Sequence, residues 1–363
     1  VSLEVVTLLY NQNTVMPQEE GFYTRSLLDI ENEGISSQVF FILKQQGRLN
    51  QTPAFFQNRL KESYEKGMFQ NLLIRNQMNT ILTNFENQRI DVIPLKGVHF
   101  AENYFGHIGA RTTSDIDLLI GLHDLNGAIE IIKNLGFTVE EEQVPGHFHC
   151  SFSKTIPGST MPLVVEIHWN IVRENTSAIR ISDLWDQAEQ AGNFKHIKEL
   201  SPNHLFYMIC LHGWRHNLDS SKYFIDIIQL IYKLDGQIDY DYLLKIASSH
   251  KTLKRLKRTL SIVYHQFPHL HEVKELPFKI IKTKWEYQNI KGLNQYIDFV
   301  DYQLFSYDTV KHSLIELVNL IWPSKYELAA QIGREQKGKS LFRMYMTLYK
   351  KRLTSIFKVF LMH

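Results

Sequence analysis

The sequence predicts an α+β fold: a mixed β-sheet core flanked by helices, with N-terminal helices before it and a large C-terminal helical region after it. Three changes of pattern carry that reading. Through residues 53–88 the apolar positions, among them Phe56, Leu60, Tyr64, Met68, Ile74, Met78 and Phe85, recur every three to four residues, the period of a helix face. From residue 89 short runs of branched residues alternate with turn residues, the pattern of strands. Beyond residue 170 the helical period returns and holds nearly to the end. The expected divisions are a helical region over residues 1–88, a mixed core over 89–170 and a helical region over 171–363.

Residues 53–88 are expected to make one or two amphipathic helices. Ile90-Asp91-Val92-Ile93-Pro94-Leu95 reads as a strand that Lys96-Gly97 ends, followed by a short helix over 98–104 and a loop over 106–114. Residues 115–120 form the next strand. Asp124 is placed to cap a helix that runs through Leu135 and stops at Gly136. Residues 137–144, 148–153 and 161–169 are further strands, the last with Val165 and Ile167 on one face and Glu166 on the other. The order is strand, helix, strand, helix, then a strand meander. In the second half, helices are expected over 203–214, 223–234, 242–248, 253–264, 294–305 and 313–321. The basic amphipathic stretch 341–362 reads as the last helix of its region in preference to a membrane-surface element.

An apolar fraction of 44% with 12% aromatics is enough to bury a substantial core. Forty basic against 38 acidic residues leave a net charge of +2, which gives no global field of the kind a dedicated nucleic-acid binder carries. Long nucleic acid is therefore the less expected partner. The two cysteines, Cys150 and Cys210, stand in no CxxC pattern and exclude a disulfide scaffold or a cysteine zinc knuckle. The apolar run 223–234 is broken by Asp226 and Gln229, and no stretch reaches the roughly 20 apolar residues a membrane span needs. With no secretory leader visible, the expected location is the cytoplasm.

Asp115-Ile116-Asp117, followed by Leu118-Leu119-Ile120, carries the chemistry. Residues two apart on a strand point to one face, so both carboxylates project together while Ile116 turns into the core. Two adjacent anions repel, and a divalent cation is the usual compensation. Carboxylate oxygens suit Mg²⁺ or Mn²⁺ and leave positions for phosphate oxygens. Lys96 and Gly97 close the preceding strand, where a glycine lets backbone N–H groups approach a phosphate. Arg111, four residues before Asp115, is suited to phosphate or carboxylate. Glu166 is an acid in an apolar strand and needs a partner, for which a shared metal is the obvious choice. His168 shares its strand face. His212 and His216 share a helix face. With Asp226 they make a candidate metal set, but the reading preferred here is that they line a cleft and bind nucleotide or acceptor. His147 and His149, flanking Phe148, rank below these as candidates.

Ile93-Pro94-Leu95-Lys96-Gly97, Arg111 and Ser114-Asp115-Ile116-Asp117-Leu118-Leu119-Ile120 together resemble the signature of the uncharacterised nucleotidyltransferase family of the polymerase-beta-like superfamily. Glu166-Ile167-His168-Trp169 is similar to that family's later strand, which usually carries Asp where this chain has Glu. Leu211-His212-Gly213-Trp214-Arg215-His216, with Asp226 downstream, resembles its helical histidine motif. The resemblance covers about residues 60 to 235. It departs from the wider superfamily at Val98, where a serine would help hold a triphosphate, and in the longer span from Gly97 to Asp115.

The resemblance implies a nucleotidyltransferase-like mixed sheet and a catalytic core over residues 89–170. It implies that Asp115, Asp117 and Glu166 are the catalytic and metal-holding acids. Lys96, Gly97, Arg111, Ser114, His168, His212, His216 and Asp226 are then the candidates for binding nucleotide or acceptor. The implied reaction moves a nucleoside monophosphate from an NTP to a hydroxyl or phosphate of a small-molecule or peptide acceptor, with Mg²⁺ or Mn²⁺. Two alternatives stay open at this stage: glycosyl transfer from a nucleotide sugar, which an acidic pair also serves, and nucleotide binding without chemistry.

Overall fold

The computed structural model describes residues 2–141, 143, 146–159, 161–287, 293–332 and 340–361. Helices α1 (Ser2–Tyr10), α2 (Glu20–Asn32) and α3 (Ser36–Gln45) precede α4 (Ala54–Gln88), a single continuous helix of 35 residues. Pro53 sits at its N-cap, where a missing N–H costs nothing. The helix continues through Gly67, a position too crowded for a side chain. A side chain would bring its Cβ within 2.9 Å of Ser37 Oγ and 3.1 Å of Thr112 Oγ1.

The sheet follows. Strand β1 (Val92–Pro94) leads into α5 (Val98–Phe100), which widens into a π-type turn over Ala101–Phe105. Then come β2 (Asp115–Ile120), α6 (Leu125–Asn134), β3 (Thr138–Glu141), β4 (His149–Lys154) and β5 (Leu163–His168). The strands lie in the order β1-β2-β5-β4-β3, with β2 and β5 parallel and every other pair antiparallel. The expected meander is β3-β4-β5, and its last strand inserts beside β2. Asp124 occupies the N-cap of α6, yet its carboxylate makes no capping bond and lies 3.1 Å from His123 Nε2 instead. Gly136, at φ +85, ends the turn after α6 as expected. Strand β3 stops at Glu141, and residues 142 and 144 of the longer expected strand lie outside the described residues.

The two faces of this sheet differ as period-2 alternation requires. Ile116, Leu118, Phe152, Val165 and Ile167 are buried against Ile74, Ile81 and Phe85 of α4 and Ile132 of α6. The other face carries Asp115, Asp117, Glu166 and His168 toward the helical half.

That half holds α7 (Ile181–Asp186), α8 (Pro202–Arg215), α9 (Ser221–Lys233), α10 (Tyr240–Ser249) and α11 (Leu253–Gln266). The short α12 (Leu270–Val273), α13 (Leu293–Val300), α14 (Val310–Ile321), α15 (Lys325–Ile332) and α16 (Leu341–Leu361) complete it. Ser201 caps α8 by accepting from His204 N, with Pro202 in the first turn. The region is not wholly helical. A hairpin of β6 (Glu189–Gln190) and β7 (Lys198–Glu199) attaches to the main sheet through Val92, whose N–H donates to His196 O at 2.9 Å. Two-residue strands are too short to show a period in sequence. Helices α8, α9 and α11 share a core with α1 and α3, built on Phe206, Phe224, Ile228, Leu260, Leu9 and Val39. Met344 and Leu348 of α16 pack on Leu328 and Ile332 of α15, as a terminal helix would; residue 362 lies outside the described residues. Among the described residues no helix is long and apolar enough to cross a membrane.

Candidate active site

Parallel pairing of β2 with β5 sets Asp117 opposite Glu166 and Asp115 opposite Val164. Asp115, Asp117 and Glu166 each offer a carboxylate oxygen, and these atoms lie within 4.8 Å of one another. Ile116 is buried between them, on the core side. The end of β1 is fastened to the same point, because Leu95 N donates to Asp117 O at 3.0 Å. Lys96 follows, with Nζ 3.1 Å from Asp117 Oδ2 and 3.2 Å from His212 Nε2. Gly97 adopts φ 76, ψ −142, a conformation essentially reserved for glycine. A Cβ there would stand 3.3 Å from Asp115 O, so the glycine also permits close approach to β2.

Between Gly97 and Asp115 the chain is held by Asn71 of α4, which is fully buried. Its Nδ2 donates to Ile108 O at 2.5 Å and to Arg111 O at 2.7 Å, and its Oδ1 accepts from Thr113 N at 3.1 Å. Arg111 makes a bidentate pair with Asp226 of α9, both distances 2.8 Å. His168 Nε2 sits between two acids, 3.2 Å from Asp117 Oδ1 and 3.1 Å from Glu166 Oε2.

Helices α8 and α9 supply the opposite wall. His212 and His216, one turn apart, have ring centroids separated by 4.9 Å, and His216 stacks on Tyr223 at 4.8 Å. Arg215 lies over the Phe148 ring at 4.6 Å. Together these groups enclose a cleft of about 320 Å³. Lys96, Gly97, Arg111, Ser114, Asp115, Asp117, Glu166, His168, His212 and His216 all line it. Asp226 stands behind the lining, with both oxygens engaged by Arg111, and so the structure does not bring it to His212 and His216 as a third ligand.

Sequence reasoning missed several lining residues: Thr112, Thr113, Arg215, Lys222 and Tyr223. Arg215 had a signal, lying between the two histidines and three residues after His212. Lys222 and Tyr223 precede Asp226 by about one helical turn, the spacing that puts them on its side of α9. Asn71 had one too, as a polar residue in the apolar stripe between Met68 and Ile74.

Charge in the cleft is unevenly compensated. Burial and the neighbouring Asp117 push Asp115 up to about 6, against the pull of Lys96. Burial alone would raise Asp117 as well, but Lys96 and His168 outweigh it and hold that carboxyl well below its usual range. For Glu166, burial is overcome chiefly by the bond from His168, and its pKa falls. His168 is the counterpart: burial disfavours its cation, yet bonds to Asp117 and Glu166 raise its pKa. Burial, with Lys96 and His216 beside it, keeps His212 neutral well below its usual range. His216 is lowered to about 4 by burial and by Arg215.

In class, the protein is a transferase of the nucleotidyltransferase kind. Residues 29–268 match the family model described as uncharacterised nucleotidyltransferase, and the chain belongs to that family. A comparison with curated proteins found no match. Among solved structures the chain is similar to the antibiotic-resistance factor ANT(2'')-Ia in solution, at 15% identity and a TM-score of 0.34. That similarity covers 50% of this chain and 93% of the other.

Proposed function

We propose that the chain transfers a nucleoside monophosphate from a nucleoside triphosphate to a hydroxyl or phosphate of a small-molecule or peptide acceptor, using Mg²⁺ or Mn²⁺. One observation carries the reading. The carboxylate oxygens of Asp115, Asp117 and Glu166 come within 4.8 Å of one another in a cleft that Lys96, Arg111, Arg215 and Lys222 also line. Acids for a cation and bases for phosphates therefore face a single space.

The three acids fit a hard divalent cation. All three donors are carboxylate oxygens, and among the described residues no hydrogen bond or ion pair reaches the Asp115 carboxylate. Held by Asp115, Asp117 and Glu166, such a cation supplies a lowered pKa at the attacking hydroxyl and charge neutralisation at the phosphates. The remaining work belongs to side chains. Lys96, Arg215 and Lys222 bind phosphate oxygens and favour the charge that grows on them. Arg111 is oriented by both oxygens of Asp226 and presents a fixed positive edge to the cleft. His168 holds Asp117 and Glu166 in register. Neutral His212 accepts from Lys96 without adding positive charge.

Mass spectrometry tests this directly. Wild type and Asp117→Ala are incubated with Mg²⁺ or Mn²⁺, a panel of NTPs and nucleotide sugars, and cell extract as a source of acceptors. An acceptor that gains a nucleotide mass, with pyrophosphate released by wild type alone, is the expected result. A sugar-sized gain overturns the donor, and no gain with any donor leaves a nucleotide-binding module.

A further inference from the structure

The sheet face that carries the acids continues past them. Antiparallel pairing of β4 with β5 sets His149 opposite His168 and Ser151 opposite Glu166. The rings of His149 and His168 lie 5.1 Å apart, and both residues are buried, at 7% and 5% exposure. His149, His168 and Glu166 each offer a ligand atom, all within 4.8 Å of one another. The Nδ1 atoms of both histidines are buried and make no hydrogen bond among the described residues. A buried imidazole nitrogen without a partner is costly, and two facing rings that both leave one unmet point to something the protein atoms alone do not supply. Glu141 Oε2 stands 3.7 Å from His149 Nε2, in the position of a carboxylate that orients a ligating imidazole through its other nitrogen.

We propose that His149, His168 and Glu166 form a second cation site, selective for a borderline transition metal of the zinc class, on the flank of the acidic cleft. The donor sets differ in kind. Asp115, Asp117 and Glu166 offer oxygen only, whereas two imidazoles and one carboxylate suit Zn²⁺ or Co²⁺ and leave a coordination position open. Glu166 belongs to both groups and is the bridge between them. The inference rests on these side chains and not on the donor or acceptor of the transfer.

Cobalt is the probe, because its visible spectrum reports nitrogen ligation. Metal-free full-length protein, saturated with Mg²⁺ to fill oxygen sites, is titrated with Co²⁺. One equivalent is expected to bind with a visible absorption band. His149→Gln weakens that binding by about tenfold or more, the usual loss for a removed ligand or its support, while Mn²⁺ binding at the three acids, read by electron paramagnetic resonance, persists. Asp115→Asn is expected to do the reverse. Absence of the band in wild type overturns the proposal, as does a band unchanged in His149→Gln or abolished only by Asp115→Asn. Should His149→Gln fail to fold, ¹⁵N-imidazole spectra of wild type answer the same question. Zn²⁺ must shift the signals of both histidines in the presence of Mg²⁺, and unmoved signals sink the site.

Discussion

Asp115 carries the least compensated charge in the cleft, and that has a thermodynamic sign. Its folded pKa, about 6, lies above the ordinary carboxyl value of 3.8. Folding therefore favours the neutral acid: there is no penalty below the unfolded value, the cost grows as pH rises from 3.8 to about 6, and above about 6 it is fully present. Asp115→Asn is expected to stabilise the metal-free protein at pH 7.5 by about 1–2 kcal/mol, after allowing for screening at the cleft mouth. Calorimetry with and without EDTA checks this, and transfer activity in the same variant is expected to vanish. The Arg111–Asp226 pair predicts the opposite sign. Asp226 is 2% exposed, so Asp226→Ala leaves a buried guanidinium without its anion and is expected to cost about 3–5 kcal/mol in urea unfolding. A cost below 1 kcal/mol would mean that water solvates Arg111 from the cleft. At this scale the sequence was informative where an acid interrupted an apolar strand, as at Asp115, Asp117 and Glu166. It was silent where a residue acts through a distant partner: nothing local ties Arg111 to Asp226, 115 residues away.

Elements place these residues, and two of them can be tested through their ends. Gly97 joins β1 to α5 at a positive φ, where any Cβ meets the Asp115 carbonyl at 3.3 Å. Gly97→Ala is expected to cost about 1–3 kcal/mol and to lower activity further by shifting Asp115. Activity loss without loss of stability would show that the glycine serves the ligand and not the fold. At the start of α9, the open backbone N–H of Ser221 is met by Glu33, which follows α2, at 2.6 Å. Tyr287 donates to the same oxygen at 2.6 Å. Burial would raise Glu33, but these bonds, led by the Ser221 hydroxyl, bring it below its usual value. A depressed acid stabilises above its unfolded pKa and loses that contribution as pH falls through the folded one. Glu33→Gln is expected to cost about 1 kcal/mol at pH 7 and progressively less as pH falls below the ordinary carboxyl value of 4.5, measured as urea midpoints across that range. A gap that widens in acid would refute the assignment. The elements were readable where a period ran long, in α4, α8 and α9. The β6–β7 hairpin was missed because strands of two residues have no period and are held by Val92, about a hundred positions away.

At the scale of the molecule, the cleft is bounded by two differently built surfaces, sheet strands on one side and α8–α9 on the other. Each surface was visible in sequence as a motif; their meeting was not, since parallel pairing of β2 with β5 and the approach of Lys96 to His212 are long-range packing outcomes. Under the proposed function, nucleotide bound in the cleft is expected to touch both surfaces. A non-hydrolysable NTP with Mg²⁺ at a hundred times its Kd is expected to stabilise the protein by about 2.7 kcal/mol. Amide exchange is expected to slow in β2, β5, α8 and α9 together. Protection confined to the sheet would place the ligand on one wall only.

The single carboxamide of Asn71 has a consequence for affinity. The segment from Gly97 to Ser114 is long for a connection between neighbouring strands, and a free loop of that length would have to surrender its conformational entropy when a ligand arrived. Three hydrogen bonds with one helical residue fix its later part, at Ile108, Arg111 and Thr113, beforehand. That ordering is completed when the chain folds, so a ligand of the cleft would enter a wall already in place, its binding energy not diverted into assembling it.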